Sequence, residues 1–338
     1  MNIRPVFFFV AILLAMPRAC LAELYLLHGK GDSVIGSIRH TAATHEDTLL
    51  DVARKYGLGY MDIKLGNPGL DTWLPGENAD VTLPTEFVLP AVPHEGIVLN
   101  IPEMRLYYFP PGRRNDVREV ITYPLGIGRE GWSTPYVDTR VIDKQQHPYW
   151  YPPKSIRLEH AQEGEPLPAR VGPGPENPLG DYALRLGLPS YLIHGTNKPW
   201  GVGMRVSHGC IRLYPEDIAE LFKLVGKGTR VHIVNQPYKV GIREDQIYLE
   251  AHPYLDEDRD RFADNLTSVV KMLIDITGDR PYDVDWRLAR RVVKERNGIP
   301  VVIGTLRVAA AGTLVEAPAP AEPEEGVNLR LETRLGTQ

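Results

Sequence analysis

The sequence predicts a mainly β protein with helical accessory parts, and three observations carry that prediction. Thirty-one glycines and thirty prolines in 338 residues favour short strands joined by turns over a helix bundle. Between residues 96 and 235, short runs of β-branched and aromatic residues recur, separated by Gly- and Pro-rich loops. Clear helical periodicity is confined to a few segments outside or between those runs. Hydrophobic content of 43% and charged content of 24% are ordinary for globular chains, which excludes wholesale disorder and coiled coil. A net charge of −5 without a basic block excludes a nucleic-acid surface.

The first element is an address. Arg4 precedes the apolar run from Val6 to Met16, followed by Pro17 and the small-residue site Cys20-Leu21-Ala22. This is the pattern of a cleaved secretory signal peptide over residues 1–22, and the run is too short to span a bilayer. Acylation at Cys20 fits poorly with Pro17-Arg18-Ala19 before it. Cleavage after Ala22 leaves Cys210 alone in the mature chain. In an exported protein, an odd cysteine points to an intermolecular bridge or a reactive thiol, against the plainer reading of an inert buried side chain.

Residues 40–90 form a compact unit. Leu49, Val52, Ala53 and Tyr56 share one helical face, opened by Asp47-Thr48 and closed by Gly57. Asn67-Pro68-Gly69 makes a turn, and Val81-Thr82-Leu83 is a short strand ending on Pro84. In residues 96–235, Ile97–Ile101 and Met104–Phe109 read as a hairpin across Pro102-Glu103. Residues 117–123, 137–142, 183–186, 191–194 and 229–234 read as further strands. The long Pro/Gly-rich loops at 147–153 and 172–180 are places where sites usually lie. Ile218, Leu221, Phe222 and Val225 predict one helix behind Pro215, ended by Gly226. Residues 236–308 read as a mixed α/β segment. It has an amphipathic helix on Phe262, Leu266, Val269, Val270 and Leu273, and a second near Trp286. The basic run Arg287, Arg290, Arg291 and Lys294 on that second helix reads as a solvated face. Residues 309–338 read as a disordered acidic Pro/Ala/Glu tail.

The densest polar pattern is His194-Gly195-Thr196 followed by Ser207-His208-Gly209-Cys210-Ile211-Arg212. A thiol attacks as the thiolate, and a neighbouring imidazole can take its proton. His194 ends the apolar strand Tyr191-Leu192-Ile193, so its ring is expected to point outward into a cleft. The intervening loop is long enough to bring Cys210 back to the same sheet edge. Peptide N–H groups of Gly209 and Cys210 are candidates for holding a developing oxyanion. Arg212 supplies a fixed cation suited to a substrate carboxylate.

Those two motifs resemble the signature of the L,D-transpeptidases, the YkuD-type catalytic domain. With the signal peptide and a 40–90 unit that resembles a LysM module, the chain is similar to periplasmic ErfK/YbiS-type enzymes of Gram-negative bacteria. The resemblance implies a β-sandwich-like catalytic domain of mixed sheets with a capping helix, and no metal or organic cofactor. It implies that Cys210 attacks the meso-diaminopimelate carbonyl of a peptidoglycan tetrapeptide stem, releases D-Ala, and passes the acyl group from a thioester to an amine. That amine is the C-terminal lysine of an outer-membrane lipoprotein or another stem's diaminopimelate, with hydrolysis as a side reaction. His194 would be general base and acid, oriented by the Gly195 carbonyl, with His208 in support. Ser207, Tyr191, Thr196 and Arg212 are taken as substrate-facing. The LysM-like unit would hold glycan strands.

Four other readings compete, of which a sortase, also thioester-forming with His before Cys, requires a much longer separation between the two. A zinc site from His194, His208 and Cys210 lacks a fourth ligand and any metal-binding spacing. A papain-like peptidase would place Cys before His. A non-catalytic peptidoglycan-binding protein would retain the wall-binding unit without acylation at Cys210.

Overall fold

A computed structural model describes residues 23–307 apart from 28, 30, 113–116 and 263–265. The expected signal peptide and acidic tail lie outside the described residues. No helix among the described residues is long and apolar enough to cross a membrane.

The chain starts with β1 (Glu23–Leu27), then β2 (Val34–Gly36), β3 (Arg39–Ala42), α1 (Leu49–Lys55), α2 (Tyr60–Gly66), β4 (Asp80–Leu83) and β5 (Glu86–Val88). Strand β3 pairs antiparallel with β4, and β2 with β5, so the two helices sit between paired strands. Helix α1 begins where Thr48 and Asp51 cap each other reciprocally, satisfying donors that the first turn leaves open. The buried Asn67 makes more than the expected turn. Its amide donates to the carbonyls of Ile63 and Thr82 and accepts from the Thr82 N–H, fastening α2 to β4.

The central region contains β6 (Gly96–Asn100), β7 (Arg105–Phe109), β8 (Arg118–Pro124), β9 (Ile127–Gly128), β10 (Asp138–Gln146), α3 (Lys154–Gln162), β11 (Tyr182–Leu186) and β12 (Leu192–His194). It continues through β13 (Arg205–Ser207), β14 (Ile211–Arg212), α4 (Pro215–Leu224) and β15 (Arg230–Val234). Nine strands form one mixed sheet in the order β1-β8-β7-β6-β15-β10-β11-β12-β14. The fold is therefore mainly β with mixed sheets, as expected. Strand β1, absent from the sequence reading, extends the sheet beside β8.

Strand alternation explains how this sheet is buried on two faces. Ile97, Leu99, Leu106 and Tyr108 point into a core shared with Leu184, Ile193, Ile211 and the α4 residues Ile218 and Leu221. Val98, Tyr107, Phe109 and Val120 point the other way, into a core shared with Leu49, Val52, Leu58 and Ile63 of the N-terminal unit. The 40–90 unit and the central sheet thus have a common interior.

The C-terminal segment contains β16 (Tyr238–Arg243), β17 (Gln246–Ala251), α5 (Arg259–Phe262), α6 (Thr267–Thr277), β18 (Tyr282–Val284), α7 (Trp286–Glu295) and β19 (Val301–Leu306). Its strands form a second sheet, β16-β17-β19-β18. Val269 and Leu273 of α6 and Ala289, Val292 and Val293 of α7 pack on it, while the basic side chains of α7 are exposed. The helix expected from Phe262 to Leu273 is divided between α5 and α6.

Candidate active site

The two ends of the polar motif meet at the sheet edge. Strand β12 pairs parallel with β14, setting Ile193 opposite Ile211 and His194 opposite Arg212. Cys210 precedes β14 by one residue. By strand periodicity it shares a side with Arg212 and lies diagonal to His194.

His194 differs from the sequence expectation in one respect: its ring is buried, with 3% exposed, instead of opening into a cleft. Gly180 and Gly195 let the 179–180 turn close over it. A Cβ on Gly180, whose φ is +66°, would lie 2.9 Å from the Thr196 nitrogen. His194 Nδ1 lies 2.6 Å from the Gly195 carbonyl. An Nδ1–H donated there leaves Nε2 as the basic nitrogen. Burial, reinforced by the Arg212 charge, pushes the imidazole down to about 3 against the pull of the Gly195 and Leu179 carbonyls. It is therefore neutral at ordinary pH.

Cys210 is half-buried, and its thiol donates to the Ser190 carbonyl at 3.4 Å. Burial pushes the thiol up, opposed by a Leu192 backbone hydrogen bond and by Arg212. The resting pair is thiol and neutral imidazole. Gly209 holds φ at +99°, and a Cβ there would be strained and would lie 3.2 Å from the Tyr191 ring. The Tyr191 hydroxyl donates to the Ser133 carbonyl at 3.3 Å.

Three expected roles need correction. Ser207 is 1% exposed; its hydroxyl donates to the Cys210 carbonyl at 2.6 Å and accepts from the Gly209 N–H at 3.2 Å. It staples the turn rather than facing substrate. The same contact engages the Gly209 N–H, leaving only the Cys210 N–H of the expected oxyanion pair. Thr196 is 3% exposed and accepts from the Lys198 N–H, so it shapes the loop and does not line the cleft. Side-chain direction decides all three, and the sequence does not display it.

Arg212 lines a cleft of about 610 Å³ together with Trp150, His160, Glu176, Trp200 and His208. Its buried Nε has no partner among the described residues, nor does His160 Nδ1. A cation half-sunk in the wall with an unused donor is suited to a carboxylate.

His208 is held by residues the sequence reading missed. Its Nε2 lies 3.1 Å from Glu159 Oε2 and 3.2 Å from Arg129 Nη2, and its ring meets the Trp132 ring edge-on at 4.9 Å between centroids. Arg129 and Glu159 are themselves paired. Burial pushes His208 below the ordinary histidine range, with Glu159 opposing and Arg129 and Arg212 reinforcing. The zinc alternative finds no support in this arrangement. Among the described residues, the cluster with three ligating atoms close together is Glu103, Glu250 and His252, not His194, His208 and Cys210.

The YkuD family profile, L,D-transpeptidase catalytic domain, matches residues 94–233. The chain is 37% identical over 304 residues to the probable L,D-transpeptidase YcfS of Escherichia coli K12, covering 87% of this chain and 92% of that protein. It is 39% identical over 311 residues to the probable L,D-transpeptidase ErfK/SrfK of Salmonella typhimurium, covering 89% and 97%. It is also 39% identical over 287 residues to the probable L,D-transpeptidase YbiS of Escherichia coli K12, covering 83% and 92%. The chain belongs to the L,D-transpeptidase family.

Proposed function

We propose that this protein acts on peptidoglycan in the periplasm by cysteine-dependent acyl transfer. The Cys210 sulfur turns from the Ser190 carbonyl, gives its proton to His194 Nε2, and attacks the meso-diaminopimelate carbonyl of a tetrapeptide stem. The C–N bond to D-Ala breaks, His194 returns the proton to the leaving amine, and a thioester remains on Cys210. An amine then attacks the thioester. His194 takes the ammonium proton, the new amide leaves, and the thiol is restored. The acceptor is a lipoprotein lysine or a second diaminopimelate, with water giving hydrolysis.

The observation that carries this reading is the β12–β14 pairing, which sets a neutral, backbone-anchored His194 beside the strand that Cys210 leads. Arg212 would receive the stem carboxylate. The Cys210 N–H would hold the oxyanion, a contribution usually worth roughly 3–4 kcal/mol per donor.

Intact mass before and after incubation with a carbapenem tests the proposal, because the β-lactam imitates the terminal amide and traps the acyl-enzyme. One adduct, absent from Cys210→Ala, is expected. No adduct on a reduced thiol would move the reading to a non-catalytic wall-binding protein.

The N-terminal unit is proposed to bind glycan. The order β3-α1-α2-β4 with a β3–β4 pair supports the LysM likeness. Its α2–β4 loop exposes Trp73 by 62% and Leu74 by 78%. Since this unit shares a core with the sheet, its test is a surface change instead of a deletion. Trp73→Ala should weaken pelleting with sacculi while leaving the carbapenem adduct intact; unchanged pelleting would refute the glycan role of that loop.

A further inference from the structure

Helix α3 reaches the catalytic motif through Glu159. One carboxylate oxygen faces His208 Nε2 at 3.1 Å and the other is held by Arg129. Arg129 Nη2 lies 3.2 Å from that same imidazole nitrogen. A ring nitrogen either carries a proton and donates or offers a lone pair and accepts. With a proton on Nε2, His208 donates to Glu159. With its single proton on Nδ1, it accepts from Arg129. Both partners are in reach and bound to each other, so neither must move when the ring changes state. Trp132, edge-on at an interplanar angle of 81°, fixes the ring plane. The Arg129 N–H donates to the Ser207 carbonyl at 2.9 Å, tying the cradle to the motif's backbone.

We propose that Glu159 and Arg129 are positioning residues that hold His208 in either protonation state, so that its ring exchanges a proton with solvent, and its charge beside the thiol changes, while Gly209 and Cys210 stay fixed. This rests on the acyl-transfer reading of Cys210. The charged groups facing His208 are Glu159 from α3, Arg129 after β9 and Arg212 on β14; His160 lines the same cleft. Glu159 favours the imidazolium, while Arg129 and Arg212 oppose it. Removing the first and removing the second must therefore act in opposite directions.

The experiment uses the full chain and two readouts: the His208 ring nitrogens by ¹⁵N–¹H NMR across pH, and the rate of Cys210 acylation by a carbapenem across the same range. In Glu159→Gln the His208 midpoint falls and the matching limb of the rate profile moves to lower pH. In Arg129→Gln both move to higher pH. A displacement of half a unit to one unit changes the rate on that limb by roughly three- to tenfold. Glu159→Asp keeps the charge and returns the midpoint toward that of the parent, which guards against a loss of folding in the Gln variant. Unmoved midpoints, or both variants moving the same way, would overturn the cradle. Opposed midpoints with superimposable rate profiles would overturn its part in catalysis. A parent chain that is never acylated defeats the acyl-transfer reading instead, and the NMR midpoints still decide whether the cradle exists.

Discussion

Two polar regions of this molecule treat hydrogen bonding in opposite ways. At the junction of the N-terminal unit, the central sheet and the C-terminal segment, Lys239 lies 2.8 Å from Glu103 and 2.9 Å from Glu250, with all three side chains fully buried. Tyr107 and Asn100 donate to Glu103, and the Val88 N–H and His252 complete Glu250. Burial would raise the Glu103 carboxyl, yet the Lys239 charge and its other partners hold it below the usual range. No fully buried polar side-chain atom in this cluster lacks a partner among the described residues. In the cleft between α3 and the β12–β14 edge, by contrast, Arg212 Nε and His160 Nδ1 are buried without partners among the described residues. An unmade hydrogen bond costs roughly 1–3 kcal/mol; Arg105 Nε, Tyr123 Oη, Asp217 Oδ2, His232 Nε2 and Asn235 Oδ1 carry the same deficit elsewhere, and what sets Arg212 and His160 apart is that both line the cleft beside the motif. The saturated cluster fastens three parts of the chain, and the unsaturated atoms face a cleft. Lys239 already supplies a cation to Glu103 and Glu250, two members of the Glu103–Glu250–His252 group.

The largest effect that would break this contrast is at the edge. His194→Ala should lower acyl transfer by roughly 10²- to 10⁴-fold, read by steady-state assay, with calorimetry showing that the variant, though destabilised by the cavity left by a buried ring, stays folded at the assay temperature. Activity within a factor of a few would remove His194 from the proton path. In the saturated cluster, Lys239→Met should cost about 3–5 kcal/mol in urea unfolding, because two carboxylates lose their cation. Below the transition, its carbapenem stoichiometry should stay at one. A stable Lys239→Met would show that the cluster does not fasten the three parts.

Acid sharpens the same comparison. His194 titrates lower in the folded chain than unfolded, so between about pH 6.5 and about pH 3 the unfolded state binds the extra proton. Its contribution is complete above the unfolded value and declines as pH falls, by about 1.4 kcal/mol per unit. Unfolding free energy measured from pH 7 to pH 4 should fall less steeply in His194→Asn than in the parent. Equal slopes would mean that the imidazole is not buried neutral. The smallest expected effect lies away from both regions. Thr48→Ala removes the cap of α1 and should cost about 1 kcal/mol by thermal melting, without altering acylation. A loss of acylation there would show that the N-terminal unit sets the geometry of the edge.

Much of the fold was legible because its signals are local. Helices α1 and α4 announce themselves through a periodic apolar face and a terminating residue, and the β6–β7 hairpin through two apolar runs flanking Pro102-Glu103. Helix α3 was not legible, since Ile156 is its only buried side chain and nothing repeats along it. Strand β1 was missed because Leu24 and Leu26 are half-exposed and its partner β8 lies far along the chain. At the site, the pattern from His194 to Arg212 gave the chemistry, but not which way Ser207, Thr196 and His194 point. Glu159 and Arg129 carry no mark in sequence; only the fold brings them to His208.

The position of β15 bears on how the chain acquires its shape. This strand lies between β6 and β10, parallel to the first and antiparallel to the second, with Val231 opposite Ile97. Until residues 230–234 are in place, the strands bearing His194 and Cys210 are tied to the half of the sheet that includes β6 only at its margin, by the Gly126–Arg212 bridge and the short β9–β13 pair. A nascent chain therefore holds a complete reactive motif well before it holds a working one. Closing so large a loop for a parallel pairing makes folding slow and late-committing, and a truncation ahead of β15 should yield a chain with every catalytic residue but a thiol held only by those marginal contacts.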